Sequence, residues 1–157
     1  MKNLGLFCLV LACIGLQSCN KNQKDADAPV LAEKPVSVQC YKALYEKDTI
    51  DLKINTLKDG KISGDMQMKF LDMPIKVGKI AGEYRGDTLF ADYTFNQGTN
   101  DKVTFKNPIA LLKKGDELIL GNGKIETYLG ASYFAKGKPI DFDNVKFKFT
   151  TIDCVEK

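Results

Sequence analysis

Histidine is missing from this chain altogether. That excludes Ser-His-Asp and Cys-His catalysis and every histidine-ligated metal centre. Long hydrophobic runs are scarce too. The one apolar segment, Asn3 to Ser18, falls short of the roughly 20 residues a membrane-spanning helix needs, and no later stretch is more apolar. None of the five cysteines stands in a CxxC pair, which removes the usual spacing of a redox or metal site. Charge of one sign is also lacking. Lys2 is the only charged residue among the first eighteen, and the remainder carries 22 basic against 20 acidic side chains. So even a balance argues against nucleic acid and against an electrostatic membrane patch. Thirteen glycines occur, but none builds a Walker or dinucleotide loop before a helix, so no cofactor is expected.

What is present begins at the N-terminus. Lys2 leads into the apolar core Leu6-Phe7-Cys8-Leu9-Val10-Leu11-Ala12-Cys13-Ile14, and Leu16-Gln17-Ser18-Cys19 closes it. A positive start, an apolar middle and small residues at the end form an export signal. The segment resembles the signal peptide of bacterial lipoproteins of the Bacteroidetes type, which implies cleavage before Cys19 and lipidation of its thiol. Residues 1–18 are then a signal peptide and 19–35 a lipidated, flexible tether rich in Asn, Lys, Asp, Ala and Pro. Lys24-Asp25-Ala26-Asp27 resembles the acidic run that directs some of those lipoproteins to the cell surface. The expected address is the cell envelope, at the outer membrane through the lipid anchor, with either face open.

Cys8 and Cys13 leave with such a signal, and Cys19 takes the lipid. Cys40 and Cys154 remain, and an even pair in an exported protein reads as a disulfide.

From residue 36 to 157 the pattern is period two. Ile50, Leu52 and Ile54 alternate with polar neighbours, as do Ile62, Gly64, Met66, Met68 and Phe70. The same holds for Leu89, Ala91, Tyr93 and Phe95, and for Val145, Phe147 and Phe149. Turn signals at Lys47-Asp48, Asp59-Gly60, Arg85-Gly86-Asp87, Gly115-Asp116 and Gly121-Asn122-Gly123 separate the runs. A weak repeat links Gly60-Lys61-Ile62-Ser63-Gly64-Asp65-Met66 to Gly78-Lys79-Ile80-Ala81-Gly82-Glu83-Tyr84, each unit read as a turn followed by a strand. Glycines on inward positions suggest a sheet curling onto itself. The expectation is all-β: a small antiparallel up-and-down barrel of about eight strands, with a β-sandwich as the alternative. Gly130 to Lys138 is the one stretch expected to hold a short helix or a lid. The chain resembles small lipocalin- or calycin-like lipoproteins. Its segment Gly86-Asp87-Thr88-Leu89-Phe90-Ala91-Asp92-Tyr93-Thr94-Phe95 is similar to a hairpin of uncharacterised Bacteroidetes lipoproteins.

Chemistry has few carriers. Glu83, Asp87 and Asp92 are the acids that could act as a carboxylate pair, on an envelope or surface glycan. Turn and solvent-face roles explain them more simply. Asp141-Phe142-Asp143-Asn144 clusters oxygen donors but lacks the glycine and closing glutamate of a calcium loop. The interior is the remaining place for a function. Met66, Met68, Tyr84, Tyr93, Phe95, Phe105 and Phe147 are the candidate ligand-lining residues, because Met adapts to varied apolar cargo. An eight-stranded barrel is either filled by side chains or holds one small ligand. The sequence therefore predicts a non-enzymatic lipoprotein that binds a small apolar ligand or presents loops to an envelope protein.

Overall fold

The computed structural model describes residues 33–155. The signal peptide, Cys19 and all but the end of the 19–35 tether lie outside the described residues.

Ten strands follow one another without a helix among the described residues. They are β1 (Ser37–Tyr45), β2 (Asp48–Thr56), β3 (Lys61–Lys69), β4 (Lys76–Arg85), β5 (Thr88–Gln97), β6 (Asn100–Lys114), β7 (Glu117–Leu120), β8 (Ile125–Tyr128), β9 (Ala131–Phe134) and β10 (Lys148–Ile152). Eight of them close into an antiparallel barrel in the order β1-β10-β7-β6-β5-β4-β3-β2, while β8 and β9 form a separate hairpin. The expected up-and-down barrel is present, and the sandwich alternative falls away. Closure removes the unpaired edges that an open sheet of these strands would carry.

The period-two runs place the core. Ile50, Leu52, Ile54, Ile62, Met66, Leu89, Tyr93, Phe95 and Phe149 are all buried within it. The two repeated units sit side by side in the β3–β4 ladder, where Ile62 faces Gly82 and Ile80 faces Gly64. Each unit's isoleucine thus stands opposite the other's glycine. A Cβ on Gly64 would lie 3.2 Å from Ile80 Cγ1 and inside contact distance of the Lys53 carbonyl. The missing side chains let the sheet bend this tightly around a filled centre. Gly78 itself lies within β4 rather than in a turn before it, because that strand already starts at Lys76.

Cys40 and Cys154 form a disulfide with Cα atoms 5.2 Å apart. It reinforces the β1–β10 ladder, in which Cys40 pairs with Ile152. The described chain enters β1 at one end of the barrel, where the Val36 amide donates to the Thr56 carbonyl. The connections β1–β2, β3–β4 and β5–β6 lie at the other end, called the mouth below, as does the long excursion from Gly121 to Phe147 that holds the hairpin.

Three expectations need correction. Gly130 to Lys138 holds no helix; it supplies β9 and the turn before it, since Ala131–Phe134 pairs with Ile125–Tyr128. The last strand starts at Lys148, not Val145; it pairs with β7 at Leu118 and Ile119, and one further bond, from the Leu120 amide to the Phe147 carbonyl, precedes it. Tyr84 and Phe105 keep inward register, but Tyr84 lies next to the end of β4 and Phe105 in the part of β6 that β7 does not reach, where they are 37% and 44% exposed.

Candidate functional site

The mouth is built by local sequence in three steps. The β3–β4 connection, Phe70 to Ile75, is apolar, and its start is fixed by the Leu71 amide donating to Asp48 Oδ1 at 2.8 Å. Its end is fixed by the Gly98 amide donating to the Ile75 carbonyl at 2.8 Å. The excursion between β7 and β10 is folded back on itself by paired backbone hydrogen bonds between Asn122 and Asp141, at 2.8 and 2.9 Å. The Asp141 carboxylate accepts from the Asp143 and Asn144 amides at 2.8 and 3.0 Å, and these bonds hold its pKa below the usual carboxylate value. The oxygen cluster at Asp141–Asn144 thus serves as a turn cap.

Because β7 has four residues, β6 is paired with it only from Leu111 onward. The earlier half of β6 and the start of β10 leave a gap in the wall, and the excursion covers it. Two clefts lie there. One, of about 270 Å³, is bounded by Met68, Phe70, Lys76, Tyr93, Phe95, Asn107, Ile109, Leu120, Ile125 and Phe134. The other, of about 320 Å³, is bounded by Leu120, Gly121, Asn122, Asn144, Val145, Lys146 and Phe147. They share Leu120, Gly121 and Asn122.

Aromatic rings order this end of the barrel. Tyr93 stacks on Phe95 at 4.6 Å, and Phe95 on Phe105 at 5.5 Å. On the opposite side Phe70 stacks on Phe147 at 5.6 Å, and Tyr45 meets Phe147 edge-on at 6.0 Å. Lys76 joins the two series, its Nζ lying 5.5 Å from the Phe95 ring centre and 5.7 Å from that of Phe70. Lys146 sits over Tyr45 at 5.2 Å. Each cleft therefore has one charged side chain in its lining, and in both it is a lysine.

The candidate residues divide by position. Met68, Tyr93 and Phe95 border the first cleft and Phe147 the second. Phe105 stacks at the rim of the mouth. Met66 is buried below the first cleft, and Tyr84 belongs to the opposite end of the barrel. Burial raises the Tyr93 hydroxyl well above its ordinary pKa, and it raises Tyr41 and Tyr84 as well. Sequence reasoning missed Lys76, Lys146, Ile125 and Phe134. Phe70 held inward register in the period-two pattern without being singled out.

The acids are elsewhere. Glu83 accepts from Arg85 at 2.9 Å, and Asp92 pairs with Lys106 at 2.7 Å, both on the outer face. Asp87 lends its carbonyl to the Lys113 amide in a turn. Among the described residues, no Asp or Glu borders either cleft. No family model, no curated protein and no solved structure matches this chain.

Proposed function

We propose that this is an envelope lipoprotein, anchored through Cys19, whose barrel mouth binds a small apolar molecule without transforming it. The observation that carries the reading is the aromatic cleft of about 270 Å³ beneath the hairpin. Its size stands near the lower limit of small-molecule sites, which begin at roughly 300 Å³. Its walls are Met and aromatic side chains with few polar groups, as an apolar guest requires. Below it the interior is filled: Met66, Ile80, Leu89 and Tyr93 are almost wholly buried. A guest is therefore held at the mouth rather than along the barrel axis.

The ion-paired positions of Glu83 and Asp92 on the solvent face support a binding role over a carboxylate-dependent hydrolase. A second reading, presentation of loops to an envelope protein, draws on one observation. Leu129, at the tip of the β8–β9 hairpin, is 88% exposed.

Two measurements test the proposal. Native mass spectrometry of the protein purified from its own envelope should show a co-purifying small apolar molecule, and an empty protein would overturn the carrier reading. Metabolic labelling with a palmitate analogue should mark the wild type and fail for Cys19→Ser. Equal labelling of both would remove the anchor.

A further inference from the structure

The ion pairs of the barrel strands use outward lysines and arginines: Lys42, Lys61, Lys79, Arg85 and Lys106. Lys76 differs. It occupies the inward register of β4, shared with Gly78 and Ile80, and is half-buried. Among the described residues it has no ion-pair partner. What faces its ammonium is the flat side of Phe70 and of Phe95. Ring quadrupoles hold a cation in place but supply no counter-charge. The Lys76 ammonium thus borders an apolar cleft with a π-face on two sides and no carboxylate beside it, a place where an anion would complete the charge.

We infer that Lys76 receives the anionic end of the guest, so the ligand of the mouth is a small amphipathic monocarboxylate. This rests on the carrier reading above and adds the charge of the ligand to it. The body of such a ligand lies against Met68, Phe95, Leu120 and Phe134, and its carboxylate accepts from Lys76 Nζ. Asn107 and Asn122 also line the cleft, and their amides are neutral donors available to the same ligand. Exposed lysine–carboxylate pairs add little, but one at the edge of a desolvated cleft is a charge-assisted hydrogen bond of greater strength.

The full chain, in lipid nanodiscs with empty discs subtracted, is titrated with octanoate, with 2-naphthoate and with the methyl ester of each. The wild type should bind at least one acid about tenfold or more tightly than its ester. Lys76→Met, which keeps the apolar stem, should erase that preference, so that acid and ester bind within about twofold of each other; Lys76→Arg should restore it. Preference for octanoate identifies a lipid-derived acid, and preference for 2-naphthoate an aromatic one. Equal binding of acid and ester by the wild type, or an acid preference that survives in Lys76→Met, overturns the inference and leaves the apolar mouth standing. Failure of all four compounds to bind overturns both.

Discussion

The Tyr93 hydroxyl donates to the Met66 carbonyl at 3.1 Å, reaching from β5 to β3 over the intervening β4. Gly78 lies between them in the sheet, paired with Met66 on one side and Phe95 on the other. Having no side chain, it lets β4 run close against the Thr94 and Phe95 backbone of β5. One bond thus fastens three strands below the mouth and caps the filled half of the barrel.

Gly78→Ala should test this arrangement most directly. The added Cβ would stand 2.6 Å from the Phe95 Cα, and backbone cannot yield as a flexible side chain would. Overpacking of this kind costs about 1–3 kcal/mol. Urea unfolding should show the loss, and a variant as stable as wild type would mean that β4 and β5 lie further apart than described here.

Tyr93 also makes stability depend on alkaline pH. Burial raises its folded pKa, so the folded state keeps a proton that the unfolded chain gives up above about pH 10. Its stabilising contribution is complete below that value and is lost as pH climbs toward the raised folded pKa. Tyr41 and Tyr84 act in the same direction. Tyr93→Phe should be less stable than wild type at neutral pH by about 1 kcal/mol, through the lost hydrogen bond. Between about pH 10 and 11.5 the difference should shrink, because only the wild type pays for ionising that ring. Denaturant midpoints across this range decide the matter, and a constant gap would contradict it.

The Cys40–Cys154 bridge joins residues 114 positions apart. A crosslink over so long a loop restricts the unfolded chain strongly, and its removal should cost about 2–4 kcal/mol. The Cys40→Ser, Cys154→Ser double variant should unfold at lower denaturant yet keep its strand-dominated spectrum. Two alkylatable thiols at these positions in the native protein would deny the bond itself.

Leu129 adopts a positive φ of 48° at the hairpin tip, followed by Gly130 at 80°. A left-handed leucine costs about 1–2 kcal/mol, whereas asparagine tolerates that region far better. Leu129→Asn should therefore raise thermal stability. If the native leucine also serves the loop-presenting role, the same variant should lose envelope crosslinks while becoming more stable. An unchanged or lowered melting temperature would count against the strained turn.

The strands of the barrel were legible because their alternation keeps phase. Leu89, Ala91, Tyr93 and Phe95 are apolar and inward without exception, and the same holds for Ile50, Leu52 and Ile54. The mouth was not legible, for a definite reason: its alternation is inverted. Ile75 and Val77 look like inward residues, yet they are 42% and 53% exposed, while Lys76 and Gly78 take the inward register. Any reading by hydrophobicity assigns the wrong face there, and so passes over Lys76. The excursion from Gly121 to Phe147 escaped for another reason. Its shape comes from the Asn122–Asp141 pairing and the Asp141 cap, which depend on contacts distant in sequence and leave no period. Tyr84 and Phe105 show a third limit, since parity fixes the side of a sheet but not the depth along the barrel.

The β7–β10 ladder has only two register pairs, at Leu118 and Ile119, while β10 is held to β1 by four pairs and a covalent bond. Such unequal seams give the barrel a preferred line of parting. When thermal fluctuation opens it, β10 stays with β1, and the wall unrolls into one curled sheet with β10 and β7 at its free borders. The amides of Leu120, which donates to the Phe147 carbonyl, and of Phe149 should then exchange with deuterium well before those of Leu52 and Tyr93. That same parting lies beside Leu120, which borders both clefts, so the motion that releases these amides would also be the passage for the guest of the proposed carrier.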